Sequence, residues 1–157
     1  MLLIAGAALI AVAVLVILAT LPALLAAFLL DPGRFDRLGP QGSELGSALQ
    51  AAAPYQRVIG PVKLALNLPL VIAGWAVLGR RRWAGGAALA AALAGVLLTI
   101  LNAAETLLVT TAYREAGVPA AFVTDPVIDV ALGALLGLVA VAAAAAVHRN
   151  RSHFRAA

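Results

Sequence analysis

From Gly60 to Gly79 the chain reads GPVKLALNLPLVIAGWAVLG, and then Arg80, Arg81 and Arg82 follow in succession. The stretch of 20 residues carries a single charge, Lys63. A helix needs about 20 mainly apolar residues to cross the hydrocarbon of a bilayer, so this segment has the length of a membrane span. The rest of the chain offers a soluble fold no way to hide it. Of its 157 residues 64% are hydrophobic and 11% charged, and the mean hydropathy is +1.03. So few polar residues cannot clothe a soluble core. An all-α integral membrane protein is the class that fits, with the whole length, 1–157, used as a single membrane domain.

Several chemistries are excluded at once. The chain has no cysteine, which removes disulfides, thiol catalysis and thiolate metal sites. Its two histidines, His148 and His153, both belong to the basic tail, so haem or zinc inside the membrane has no histidine to bind. No metal and no cofactor is expected. The formal charge of +4 would suggest nucleic acid in a soluble protein. Here the basic residues stand beside apolar spans, so topology and anionic lipid account for them and no nucleic-acid partner is expected. Neither a phosphate-binding glycine loop nor a metalloprotease or serine-hydrolase motif occurs.

Four spans are predicted, over about 2–22, 57–79, 84–111 and 127–147. The first apolar run lacks a basic leader and a clear cleavage site, and reads as an uncleaved helix rather than a signal peptide. Pro22 is expected to kink it, leaving 23–30 at the membrane surface or tilted. The segment 31–56 is the longest polar one. Its prolines and glycines read as loop, followed by a short amphipathic surface helix over 43–53 that Pro54 closes. That helix is a lid over the outer end or a plain connector. Pro61 suits a first helical turn, and Pro69 is expected to kink the second span. In the fourth span Gly133 and Gly137 form a G-x-x-x-G ridge, read as packing inside the bundle rather than as a dimer face. Trp75 and Trp83 read as interfacial anchors, and Tyr55 and Tyr113 border the outer layer.

Charge gives the orientation. Arg80, Arg81, Arg82, Arg149, Arg151 and Arg155 fall on one side, and the acidic residues on or near the other. The positive-inside rule then places both termini and the tail 148–157 in the cytoplasm and the loops 31–56 and 113–126 outside. Short connections make the four transmembrane helices an antiparallel up-down bundle in the inner or plasma membrane.

Chemistry is confined to a few polar residues within the spans: Lys63 and Asn67, then Thr99, Asn102, Glu105, Thr106 and Thr110, then Asp129. At about 1.5 Å per residue, Lys63 lies roughly 25 Å from the arginine turn. Asn102 and Glu105 lie roughly 27 and 31 Å from Ala84 on the third span. These groups form one layer toward the outer face, with Asn67 slightly deeper. Helical periodicity puts Lys63 with Asn67 on one face, and Asn102, Glu105 and Thr106 within one arc of the next helix. Ionisable groups in a membrane pair with one another or face a cavity. Lys63 is therefore expected to meet Glu105 or Asp129.

Two readings follow. In one, the layer is a pocket for a lipid or apolar small molecule, with Lys63, Asn67, Asn102 and Thr106 as binding residues and Glu105 and Asp129 as acid or base. In the other, it is a clasp that fixes helix register in an accessory subunit, whose partner is a membrane protein or a further copy of the chain. Enclosed empty volume beside the layer separates the two. A proton or ion relay is the weakest third reading, because no polar residue continues the path through the dry, apolar cytoplasmic half.

Overall fold

The computed structural model describes residues 1–119, 125–150 and 152. The middle of the loop 113–126 and the tail residues Arg151, His153 and Arg155 lie outside the described residues, so the readings that fell on them are not taken further. Among the described residues four α-helices make up the fold: α1 (Leu2–Leu29), α2 (Pro40–Leu78), α3 (Ala84–Glu115) and α4 (Pro126–Arg149). A 3-10 helix, Pro32–Leu38, joins the first two. All four helices are long and apolar enough to span a membrane.

α1 and α2 run well beyond the spans read from the sequence, and proline is the reason. Pro22 lies inside α1, which runs on to Leu29, and Pro54, Pro61 and Pro69 all lie inside α2. The separate surface helix over 43–53 and the span from 57 are thus one helix of 39 residues. A proline removes one N–H and crowds the preceding turn, yet its fixed φ of about −65° is helical. In a long, packed helix neighbouring groups make good the single lost bond. The segment read as loop also gains structure. Asp31 caps the 3-10 helix by accepting from Gly33 N at 3.2 Å, with Pro32 at its start. The start of α2 packs against this turn through Gly42 and Gly46. A Cβ on Gly46 would stand 2.9 Å from Pro32 O, and one on Gly42 would overlap Phe35 O.

α1 packs on α2, α2 on α3, α3 on α4, and α4 returns to α1 through the thinnest of the four interfaces. Gly6 faces Gly74 and Val77, while Leu24 faces Gly60 and Arg57 bonds Ala27 O at 2.8 Å. On the other side Gly95 faces Ala140, and Gly133 faces Asn102. The buried core lies in the half of the bundle nearest the arginine turn. It consists mainly of alanines, among them Ala73, Ala76, Ala84, Ala88, Ala91 and Ala140, all fully buried, with Leu9, Leu70, Val77 and Val147. Small side chains let helices approach closely, which suits a bundle with no water-driven force between its spans.

The arginine turn itself is a tight helix stop. Arg80 N bonds Val77 O at 3.1 Å and Arg81 N bonds Ala76 O at 2.8 Å, with Arg80 at φ 51°. This is the paired-bond termination that usually places glycine in the left-handed position; here Gly79 falls one residue short of it. Arg81 lies over the Trp75 ring at 5.2 Å, and Trp75 and Trp83 stand 6.1 Å apart.

Candidate functional site

Lys63 and Asn67 sit one turn apart on the same face of α2, and both are buried. Opposite them α3 presents Asn102 and Glu105. The Lys63 ammonium pairs with Glu105 Oε2 and also donates to Asn102 Oδ1 at 2.9 Å. The other end of the Asn102 amide donates to the backbone carbonyl of Asp129 at 3.1 Å. One asparagine thus links α2, α3 and α4. Gly133 makes that link possible, since a Cβ there would overlap the Asn102 side chain. Gly137 makes the same room for Thr99, so the G-x-x-x-G ridge of α4 packs within the bundle. Thr99 and Thr106 bond carbonyls of their own helix, Gly95 O at 3.0 Å and Asn102 O at 2.9 Å.

The second Glu105 oxygen, Oε1, accepts from Gln56 Nε2. Sequence reading missed Gln56 because it ended the polar loop there. The signal was present: Gln56 precedes Lys63 by seven residues, two helical turns, once the helix is allowed to run through Pro54 and Pro61.

Beside this network lies a cavity of about 730 Å³. Its polar end is lined by Gln56, Lys63, Asn102, Glu105, Thr106, Tyr113 and Asp129. Away from that end the wall becomes apolar, with Val12, Leu15, Val16 and Ala19 from α1 and Leu132, Leu135, Leu136 and Ala140 from α4. Leu15, Leu132 and Leu135 are each about half exposed, at 51%, 55% and 56%. They mark the mouth, a slot between α1 and α4 at the thinnest interface. Asn67 is not on the cavity wall. It is buried behind Lys63, donating to Lys63 O at 2.9 Å, and its Oδ1 has no partner. Tyr55 is likewise off the wall. Among the described residues no group of three or more His, Cys, Asp or Glu is placed to hold a metal ion.

Fold and site define a class: a four-helix apolar bundle of membrane-protein type, with a mainly apolar cavity, bearing a few polar groups, that opens between its first and last helices. Compared with known protein families, with curated proteins and with solved structures, the chain matches none.

Proposed function

We propose that this chain is a multi-pass protein of the inner or plasma membrane that binds a lipid-derived or other apolar small molecule in the cavity between α1 and α4. The observation that carries the reading is the cavity's two-ended wall: hydrogen-bonding groups at one end, leucine and valine along the rest, and a leucine-lined mouth facing sideways. Ligand sites have this character, largely apolar with a few converging polar groups, and volumes of roughly 300–1,000 Å³. A sideways mouth flanked by exposed leucines admits a molecule already dissolved in the bilayer.

Within this proposal the four helices form an up-down antiparallel bundle. The reversed order of contacts along each pair supports it, with Gly6 against Gly74 but Leu24 against Gly60. Both termini are cytoplasmic because the arginine turn and Arg149 share one end. The polar end of the cavity then opens toward the outer leaflet. Glu105 accepts from Lys63 and Gln56 at its two oxygens and so shapes the polar end. Asp129, the second carboxylate on the wall, is a candidate acid or base.

Native mass spectrometry in mild detergent tests the binding reading. The wild-type chain is expected to carry a bound apolar mass that Ala19→Phe, which fills the cavity beside its mouth, removes. A bare chain retaining only a protein partner would instead support the accessory-subunit reading, in which the Lys63–Glu105–Asn102 network is a clasp. Orientation is tested separately, since the chain has no cysteine of its own. An impermeant maleimide should label Ser43→Cys in intact cells and Ser152→Cys only after lysis, and the reverse pattern would overturn the assignment.

A further inference from the structure

The unmet groups that a bound molecule can reach in this cavity are donors. The side-chain carbonyl and carboxylate oxygens of the polar end are taken or closed off. Both Glu105 oxygens accept from protein groups, and Asn102 Oδ1 accepts from Lys63. Asp129 is not without a partner either. The unpaired Gln56 Oε1 is sealed against water. Two hydroxyls on the wall differ. Thr99, Thr106 and Thr111 give their protons to carbonyls four residues earlier. Among the described residues the hydroxyls of Thr20 and Tyr113, both on the cavity wall, bond no protein group.

Thr20 is the more telling of the two. It is the single polar side chain of α1. The contacts of Gly6 with Gly74 and of Leu24 with Gly60 set it about level with Lys63, yet it joins no bond of that network. Thr20 is 6% exposed and lines the cavity. Its oxygen is not among the unpaired atoms sealed against water, so the small opening it keeps is onto the cavity. A hydroxyl so buried, with its proton unused, carries a desolvation cost that a bound acceptor removes. Tyr113 is a second donor, and its side chain runs back along α3 toward Glu105, as long side chains do in helices.

Charge decides which acceptor fits. Among the described residues the cavity wall carries one cation, Lys63, and two carboxylates, Glu105 and Asp129. An anionic head such as a fatty carboxylate would meet surplus negative charge and also lose its hydration. A carbonyl is neutral, offers two lone pairs to hydroxyl protons and brings no proton of its own to place. The apolar remainder of a cavity of about 730 Å³ accommodates a single chain of the size of drug-like ligands.

We infer that the cavity takes a single-chain neutral lipid carbonyl compound (a ketone, aldehyde or ester), its oxygen accepting from Thr20 and its chain lying between α1 and α4. The inference rests on the binding reading given above, and the test separates the two. The purified full-length chain in phosphatidylcholine vesicles is photolabelled with diazirine probes of one chain length, compared at equal concentration in the membrane: a methyl ketone, the plain hydrocarbon, the alcohol and the carboxylic acid. The ketone is expected to label the α1 and α4 segments around Val16 and Leu136 more than any of the others. It should exceed the hydrocarbon about threefold to tenfold, the worth of one hydrogen bond. Thr20→Val, which puts a methyl group in place of the hydroxyl, should bring the ketone down to the hydrocarbon level. Hydrocarbon labelling that persists in the variant reports that it is folded. Equal labelling by ketone and hydrocarbon in the wild type, or an alcohol or acid that matches the ketone, overturns the head-group assignment and leaves the binding reading standing. A ketone preference that survives Thr20→Val overturns the role given to Thr20. Failure of every probe to label these segments overturns the binding reading, and the inference with it.

Discussion

The two halves of the bundle solve the same packing problem differently. Near the arginine turn, α1 and α2 close on glycine, with Gly6 against Gly74, and buried alanines fill the centre. Toward the other end the same helices carry larger or polar side chains: Leu24 on α1, Gln56 and Lys63 on α2, Asn102 and Glu105 on α3. Side chains of that size hold helices apart, and α4 meets α1 only thinly. One half is sealed because its residues are small. The other retains a cavity where Gln56, Lys63, Asn102 and Glu105 tie α2, α3 and α4 to one another, while α1 is held to α2 separately, by Arg57 at Ala27 O and by Leu24 against Gly60. The site is therefore less a hole carved in a bundle than the place where close packing stops.

The strongest way to break this comparison is to remove one partner of the polar network. The Lys63 and Glu105 side chains are 8% and 12% exposed, which makes them a shielded pair. Removing one member of such a pair costs about 3–5 kcal/mol, because the remaining charge stays buried and uncompensated. Lys63→Met is expected to lower stability by that amount in a detergent-resistance or thermal unfolding assay. Adding Glu105→Gln, which keeps an acceptor for Gln56, should restore most of it. A loss under about 1 kcal/mol for Lys63→Met would mean that water reaches the pair as at an ordinary surface, and the polar end would no longer differ from a solvated loop.

The sequence made some of this plain and hid the rest for identifiable reasons. Four apolar segments of spanning length are legible because a bilayer sets a length that chance rarely meets. The meeting of Lys63, Asn102 and Glu105 is legible from depth and periodicity, since polar residues are so few that their faces stand out. Asn67 was placed on the same face correctly, but face alone does not distinguish a cavity wall from the layer behind it. Helix ends at Pro22 and Pro54 were misjudged because proline weakens a helix locally, whereas tertiary packing decides whether the helix continues. That error concealed Gln56. α1 gave no sign of being a cavity wall, because a helix apolar on every side has no face to read. The alanine core was also passed over. Alanine abundance reads as composition until the structure shows each residue at a helix contact.

A milder pair of substitutions sharpens the contrast between the halves. In the sealed half, a Cβ on Gly74 would stand 2.8 Å from the backbone oxygen of Gly6 and 2.6 Å from Ile10 Cγ1. A side chain can turn away, but a backbone carbonyl in a facing helix cannot, so α1 and α2 must separate. Gly74→Ala is therefore expected to cost about 1–3 kcal/mol, the usual range for overpacking. The gain in helix propensity from glycine to alanine, about 1 kcal/mol, offsets part of that, and the net loss lies toward the lower end of the range. Ala19→Phe adds far more volume, but at an exposed position on the cavity wall. Its expected effect on stability is within about 0.5 kcal/mol, as for substitutions that meet no packed neighbour. Unfolding the two variants side by side in one detergent measures both. If the large substitution at Ala19 proves as costly as the small one at Gly74, the cavity half is as tightly packed as the arginine half, and the contrast between them fails.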